Sequence, residues 1–593
     1  MFAQCTSSRF ANYVTSKEGK LMEGEKELRF ISCNIPNLHY LEDYMPFREP
    51  NPWKLPDEFE IKDALTAIEQ MGGKVTRAYV ISVKKEEDRP EIIRHVEAPG
   101  VFNEKAFAVL DKALETANKT GVRVIIPFVD NWQWWGGPKE YAAFRGKKPG
   151  DFWTDTLLIA DFKKTIEYVI NRKNTFTGRL YKDDMAILAW ETGNELKCPF
   201  KWTKEISSYI KSIDTNHLVI DGASYDKVPE EAIDFDGTDI LTTHHYASPA
   251  ATIKNILKNK EIINGKKPYF VGEFGFIPPK DAEAVIDTVI NNELAGALIW
   301  SLRFRNSEGG FYNHYEGGNN FSYHWPGFKS GSLYGEKEIM TMIWKKAAEI
   351  NKAEPTPLPV PEAPLMLTIT NPYEISWRGS TGAENYIIQR KEEEENIWRN
   401  IDTVDDASVS YAPQYSDTSA KAGKTYVYRA VAVNSSGMSE SSNESGPVFT
   451  ACNMIVDEMA GFSKMYSHEG SLKLLAVEDV RKAKEDRNRI AGSGGVIYST
   501  REDIFEVRAN VFLTSEGEGI EIYASADGND YEKLPLQSEF FASGKNDYGF
   551  FIPVSYTAKE IKEGVRFIKI VLSKKTQLSR TEIKFGKIKT ENN

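Results

Sequence analysis

The sequence predicts a multidomain chain, a (β/α)8 TIM barrel followed by two all-β sandwich domains, and three observations carry that expectation. Short β-branched runs alternate eight times with longer amphipathic segments in the first part of the chain, the pattern of repeated βα units around a parallel sheet. A proline-rich stretch, AEPTPLPVPEAP at 353–364, then favours an extended spacer over any packed element. Beyond it, short strands recur at regular spacing, the signature of antiparallel sandwiches.

The eight candidate strands are residues 28–36, 74–80, 122–130, 185–190, 217–222, 239–246, 268–274 and 295–302. The clearest helices that follow them are 60–71, 104–119, 160–171, 203–213, 282–292 and 337–351. Eight such units suit a closed barrel better than an open dinucleotide-binding sheet, whose glycine-rich first turn is absent. The expected division is therefore a barrel over 1–352, a linker over 353–364, one sandwich over 365–448 and a second over 449–593.

Composition excludes several functions. No apolar run in the 593 residues approaches the ~18 needed to cross a bilayer, so no transmembrane segment is expected. Lys+Arg 74 against Asp+Glu 86 gives a net charge of -12, a field that repels phosphate backbones, and nucleic acid is not an expected partner. Cys5, Cys33, Cys198 and Cys452 show no metal-ligand spacing and no disulfide framework. The N-terminal MFAQCTSSRF lacks a basic segment followed by an apolar one, so no secretory signal is visible in the chain as given. A monomer is expected.

Ten of the twelve tryptophans and seven of the eight histidines precede residue 351, which places the chemistry in the barrel. In a barrel the C-terminal ends of the strands converge on one mouth. The fourth candidate strand runs into Glu191-Thr192-Gly193-Asn194-Glu195, and the seventh into Gly272-Glu273-Phe274-Gly275. Acetal hydrolysis needs such a pair: one carboxylic acid protonates the leaving oxygen, and the other stabilises or bonds to the sugar carbon. That chemistry requires no metal and no cofactor. Glu191 is the rival acid, but it precedes the Asn-Glu pair and suits structural hydrogen bonds. Glu273 is expected to rest ionised and Glu195 to keep its proton.

These motifs resemble those of glycoside hydrolase family 5, a family of clan A. The resemblance covers about the first 350 residues and implies specific roles. Glu195 matches the acid/base and Glu273 the nucleophile. Arg77 matches the arginine that hydrogen-bonds the nucleophile, Asn194 the asparagine that holds the sugar 2-hydroxyl, His244 and Tyr246 the His-x-Tyr pair with its tyrosine near the nucleophile, and Trp300 the tryptophan flooring the subsite on the non-reducing side. The adjacent His245 is read as a core residue.

Aromatic loops indicate the substrate. Asn131-Trp132-Gln133-Trp134-Trp135-Gly136-Gly137 resembles the β-mannanase branch of the family, and Trp132 is a candidate sugar platform. Trp153, Phe304, Tyr312 and Trp325 are further loop aromatics that could stack on pyranose rings, the alternative being that they anchor loops. In the long segment 303–328, Arg303 and Trp325 are candidate substrate-binding residues that could close one end of a groove. The resemblance thus implies a retaining endo-β-1,4-mannanase acting on mannan or glucomannan. Alternatives are an exo-acting β-mannosidase or mannobiohydrolase, a β-1,4-glucanase, and a non-enzymatic carbohydrate-binding surface protein. A polymeric substrate implies an extracellular or cell-surface location.

Beyond the linker, Ile375-Ser376-Trp377, 386–390, 426–434 and Gly437-Met438-Ser439 resemble fibronectin type III domains. The acidic run 392–395 reads as a solvated hairpin end. In the last region the candidate strands are 505–512, 520–524, 549–554 and 567–572. The hairpin 522–534 and the strand 564–570 resemble galactose-binding jelly rolls, and this domain is a candidate carbohydrate binder.

Overall fold

The computed structural model describes residues 8–44, 46–49, 51–132, 134–223, 225–317, 320–405, 413–476, 478–479, 482–483, 488–515, 519–542 and 550–590. Cys5, Gln133 and Gly549, which fall within features named above, lie outside these described residues.

The N-terminal part forms a TIM-like parallel α/β unit. Its strands are β1 (Phe30–Cys33), β2 (Val75–Arg77), β3 (Arg123–Pro127), β4 (Ile187–Glu191), β5 (Leu218–Ile220), β6 (Leu241–His245), β7 (Tyr269–Gly275) and β8 (Gly296–Trp300). Strands β2 to β5 pair in sequence order, as do β6, β7, β8 and β1. Backbone bonds join the two halves: Ile35 N–H donates to the Arg77 carbonyl at 3.0 Å, and Asp239 N–H to the Val219 carbonyl at 2.8 Å. The strands bury both faces, as parallel strands covered by helices must.

Each strand is followed by a helix: α1 (Glu58–Gln70), α2 (Glu104–Thr120), α3 (Thr156–Ile170), α4 (Phe200–Ile213), the single turn α5 (Glu230–Ile233), α6 (Pro249–Ile263), α7 (Pro279–Asn291) and α8 (Glu336–Glu349). Local chemistry starts them. In α1 the Asp57 side chain accepts from Glu60 N–H at 3.0 Å while the Glu60 carboxylate accepts from Asp57 N–H at 2.8 Å, a reciprocal capping box. Helix α6 is not foreseen among the clearest helical segments because its buried face carries Thr252 and Asn259 beside Ile256 and Ile263, which breaks the apolar stripe.

The C-terminal part is antiparallel. Residues 365–449 form a five-stranded sheet and a two-stranded one around a core that includes Trp377, Tyr386 and Tyr428. The 392–395 run lies at a turn, where Glu392 pairs with Lys424 at 2.9 Å and Glu395 with Arg399 at 2.5 Å, in line with a solvated hairpin end. Among the described residues, ten strands from Asn453–Asp457 to Thr576–Phe585 are joined by hydrogen bonds into one antiparallel sheet over an apolar core.

The chain divides into two compact units, one comprising Met1–Glu42, Trp53–Phe304 and Phe321–Pro359, the other Asp43–Pro52, Arg305–Asn320 and Val360–Asn593. Two segments that chain order alone assigns to the barrel therefore belong to the second unit. Within that unit Phe47 packs edge-on against Phe512 and Phe541 at 5.1 and 5.7 Å, and Arg378 Nε donates to the Ser307 carbonyl at 2.8 Å. Among the described residues no helix is long and apolar enough to cross a membrane.

Candidate active site

The C-terminal strand ends bring one polar cluster together. Arg77, the last residue of β2, is buried and donates through Nε to Glu191 Oε2 at 2.5 Å, through Nη1 to Glu273 Oε1 at 2.7 Å and through Nη2 to Asn194 Oδ1 at 2.9 Å. Tyr246, just past β6, donates its hydroxyl to Glu273 Oε2 at 2.7 Å. Glu195 accepts from Trp132 Nε1 at 2.6 Å on Oε2 and lies 2.9 Å from His244 Nδ1 on Oε1. The same Nδ1 is 3.5 Å from Glu273 Oε2. Glu195 and Glu273 therefore share one imidazole between them. Glu195 takes a backbone φ of 50°, a left-handed conformation uncommon for a non-glycine residue, and the Trp132 and His244 contacts hold its carboxylate in place against that cost.

Backbone clearance is part of the site. A Cβ on Gly272, within β7, would lie 2.4 Å from Thr242 Oγ1 and 2.9 Å from His244 Nε2, so only glycine lets β7 carry Glu273 this close to β6. Gly272→Ala is expected to destabilise the protein by about 1–3 kcal/mol in denaturant unfolding, with activity falling further because His244 must move.

Charge is distributed unevenly over the pair. Burial raises the Glu195 carboxyl, but donation from and the charge of His244, together with the Trp132 N–H and Arg77, outweigh it, and the net direction is downward. For Glu273 burial dominates; His244, Arg77 and the Tyr246 hydroxyl oppose it, Glu195 adds to it, and the net direction is upward. His244 is raised, since its two carboxylate neighbours overcome burial. These directions run opposite to the order expected from the sequence: two N–H donors face Glu195, while Arg77 is shared between Glu273 and Glu191. His245 is driven down to about 4 by burial and donates to or accepts from Thr243 Oγ1 at 2.8 Å, a core role as expected.

The Tyr246 hydroxyl helps hold Glu273 ionised, so its removal has a definite sign. In Tyr246→Phe the Glu273 carboxyl should rise further, moving the acid limb of the kcat/KM profile to higher pH and lowering the plateau roughly 10- to 100-fold. A pH–rate series on a soluble oligosaccharide substrate checks both.

Most sequence candidates converge here: Glu195, Glu273, Arg77, Asn194, His244, Tyr246 and Trp132, with Trp132 and Tyr246 also 38% and 44% exposed and so able to meet a ligand. Trp300, at the end of β8, is partly buried and stands 6.0 Å from Tyr79, edge to face. Two candidates need correction. Trp325 is buried and spends its indole N–H on Gln70 Oε1 at 2.9 Å, at the C-terminal end of α1, away from the strand ends that form the mouth. The Arg303 guanidinium is buried as well and donates to Ser301 Oγ at 2.8 Å, so it is not exposed on a groove wall. Phe304 and Tyr312 are likewise buried, and Trp153 packs against Phe152 and Trp202 at 5.0 and 5.1 Å; these rings anchor loops.

Three residues of the cluster were not singled out from the sequence. Tyr79 and Asp130 are buried at the ends of the second and third candidate strands, where the strand-end rule that found Glu195 applies equally. Tyr225 stands edge-on to Trp132 at 6.4 Å, with its hydroxyl pushed up to about 12 by burial and by the charge of Glu195; it sits in a loop without a motif. One oxygen of each catalytic candidate and a ring nitrogen of His244 lie within 4.8 Å of one another, a donor set that a divalent ion could also use.

A parallel α/β barrel with two carboxylates meeting at its strand ends defines the class of domain, and the comparisons narrow it. Residues 53–249 match the family model described as GH family 5 β-mannosidase-like. The chain is 36% identical over 157 residues to mannan endo-1,4-β-mannosidase 1 of Arabidopsis thaliana, covering 24% of this chain and 38% of that protein. It is 34% identical over 270 residues to mannan endo-1,4-β-mannosidase 3 of the same plant, covering 35% of this chain and 65% of that protein. The aligned stretch thus spans between about a third and two thirds of these relatives' length. Among solved structures, the endo-β-1,4-mannanase of Thermotoga petrophila aligns at 21% identity and a TM-score of 0.47, over 72% of this chain and 99% of that one.

Proposed function

We propose that the protein is a retaining glycoside hydrolase that cleaves β-1,4-mannosidic bonds in mannan or glucomannan, acting within the chain, with Glu273 as nucleophile and Glu195 as acid/base. One observation carries the reading: Glu195 and Glu273 approach within 4.8 Å through oxygens that flank the same His244 nitrogen. Retaining enzymes place the two carboxyl groups ~5–5.5 Å apart, and inverting ones ~6.5–9.5 Å apart to admit a water. The close approach of these two oxygens supports the shorter separation, in which the second carboxylate itself attacks the anomeric carbon.

In the first step Glu273 bonds to the anomeric carbon while Glu195 gives a proton to the departing oxygen. In the second, Glu195 takes a proton from water as the water oxygen displaces Glu273. The proton that Glu195 gives to the leaving oxygen in the first step is restored by the one it takes from water in the second, so the pair ends each cycle as it began. Trp132, Tyr246 and Trp300 offer ring faces to the sugar chain. Residues 365–448 would serve as a fibronectin type III-like spacer and 449–593 as a galactose-binding-like accessory domain, in a monomeric protein that meets its polymer outside the cell or at its surface.

Reducing-sugar release from mannan, glucomannan and carboxymethylcellulose tests the assignment. Release from the first two alone is expected, and release from carboxymethylcellulose alone would move the substrate to β-glucan. Product lengths from mannohexaose separate chain-internal from terminal cleavage.

A further inference from the structure

Asn194 sits in a network that fixes which end of its amide faces inward. Arg77 Nη2 lies 2.9 Å from the Asn194 Oδ1 position, and an arginine can only donate, so the atom facing it must be oxygen. The Nδ2 end then points the other way, where it donates to Asp130 Oδ1 at 3.0 Å and to the Tyr79 hydroxyl at 3.2 Å. Tyr79 completes the ring by donating to Asp130 Oδ1 at 2.9 Å. Both hydrogens of the amide are committed, and one lone pair of Oδ1 is taken by Arg77. What remains to a ligand is the second lone pair of Oδ1.

We infer that Asp130 and Tyr79 are positioning residues that clamp the Asn194 amide so that it meets the sugar as a hydrogen-bond acceptor and takes the hydrogen of the 2-hydroxyl. The inference rests on the proposed reading of Glu195 and Glu273 as the catalytic pair, with Asn194 beside the sugar between them. Asp130 follows β3 by three residues and Tyr79 follows β2 by two, both are buried, and Asp130 forms a parallel bridge with Asn194. The clamp is therefore built on strand ends rather than on mobile loops, which is what precise orientation of one hydroxyl requires. Without it the amide could turn and offer Nδ2 instead, and the same sugar oxygen would meet a donor while Arg77 lost its acceptor.

The test uses the full chain and two substrates: 4-nitrophenyl β-mannobioside, and its analogue lacking the 2-hydroxyl on the ring next to the aryl group. Asp130→Ala and Tyr79→Phe are expected to lower kcat/KM on the first roughly 10- to 100-fold and on the second by less than about 3-fold, while Asp130→Asn, which keeps an acceptor oxygen, recovers much of the loss. Tyr79→Phe removes one atom and keeps the inference testable if Asp130→Ala unfolds. Equal losses on both substrates in Tyr79→Phe, or an Asp130→Asn that loses as much as Asp130→Ala and equally on both, would overturn the clamp, because they would mean general damage to the site. Asn194→Ala separates the two levels. If it discriminates between the substrates while the clamp variants do not, only this inference fails; if it too affects both equally, the placement of the sugar against Asn194 is wrong.

Discussion

Glu273→Gln should lose hydrolysis of mannohexaose by roughly 10^4-fold or more while its unfolding midpoint stays close to that of the parent. The amide keeps an oxygen for Arg77 Nη1, now at 2.7 Å, and nearly the same volume, so packing is preserved. What it lacks is a nucleophilic oxygen. Glu195→Gln should behave differently in a diagnostic way. An acid matters in proportion to how poor the leaving group is, so the loss should be roughly 10^2- to 10^4-fold on mannohexaose and small for the first step on a dinitrophenyl mannobioside, whose leaving group departs without a proton. Burst kinetics with the dinitrophenyl substrate would reveal that split, since the second step still needs Glu195 as base. If both variants lost the same factor on both substrates, distinct roles for the two carboxylates would be untenable.

Arg77→Met is expected to produce the largest stability loss of any single change at the site, about 3–5 kcal/mol in urea unfolding at neutral pH. Arg77 pairs with Glu191 and Glu273, and all three side chains are at most 5% exposed. Removing the cation strands two buried carboxylates, which is far costlier than the pair itself is stabilising. The sign with pH follows. Stranded carboxyls have folded pKa values above their unfolded ones, so the folded state binds extra protons and the penalty shrinks as the solution is acidified toward about pH 4–5. Adding Glu191→Gln to Arg77→Met should recover a good part of the loss, since one of the two stranded charges is gone. A double variant no more stable than Arg77→Met would mean that Glu191 is solvated some other way.

The barrel was legible because its signal is repetitive. Short β-branched or apolar stretches recur at each strand, and the observed strands fall inside the candidate ranges to within a residue, Glu191 and Gly275 extending β4 and β7 slightly beyond them. The acidic pair was legible from its place at strand ends: Glu195 lies four residues past β4, and Glu273 lies near the end of β7. Aromatic residues in long loops were not. Trp325 and Trp132 look alike in sequence, but whether an indole ends 3% or 38% exposed depends on tertiary neighbours that no local pattern encodes. The pKa directions of the two carboxyls run against the expected order for a related reason. The expectation counted Arg77 for Glu273 alone, whereas the fold splits that guanidinium between Glu191 and Glu273 and turns Trp132 and His244 onto Glu195. The role of Tyr225 depends on a loop crossing to Trp132, a contact without any periodic trace.

The account stands on one claim, that Glu273 attacks the anomeric carbon which Glu195 serves from the other side of the same bond. Incubation with 2-deoxy-2-fluoro-β-mannosyl fluoride, followed by proteolysis and mass spectrometry, addresses it directly. A stable fluoromannosyl adduct on the peptide bearing Glu273, absent in Glu273→Gln, is the predicted result. Steady turnover of a dinitrophenyl mannobioside with first-formed product of inverted configuration, and no adduct on any carboxylate, would contradict it.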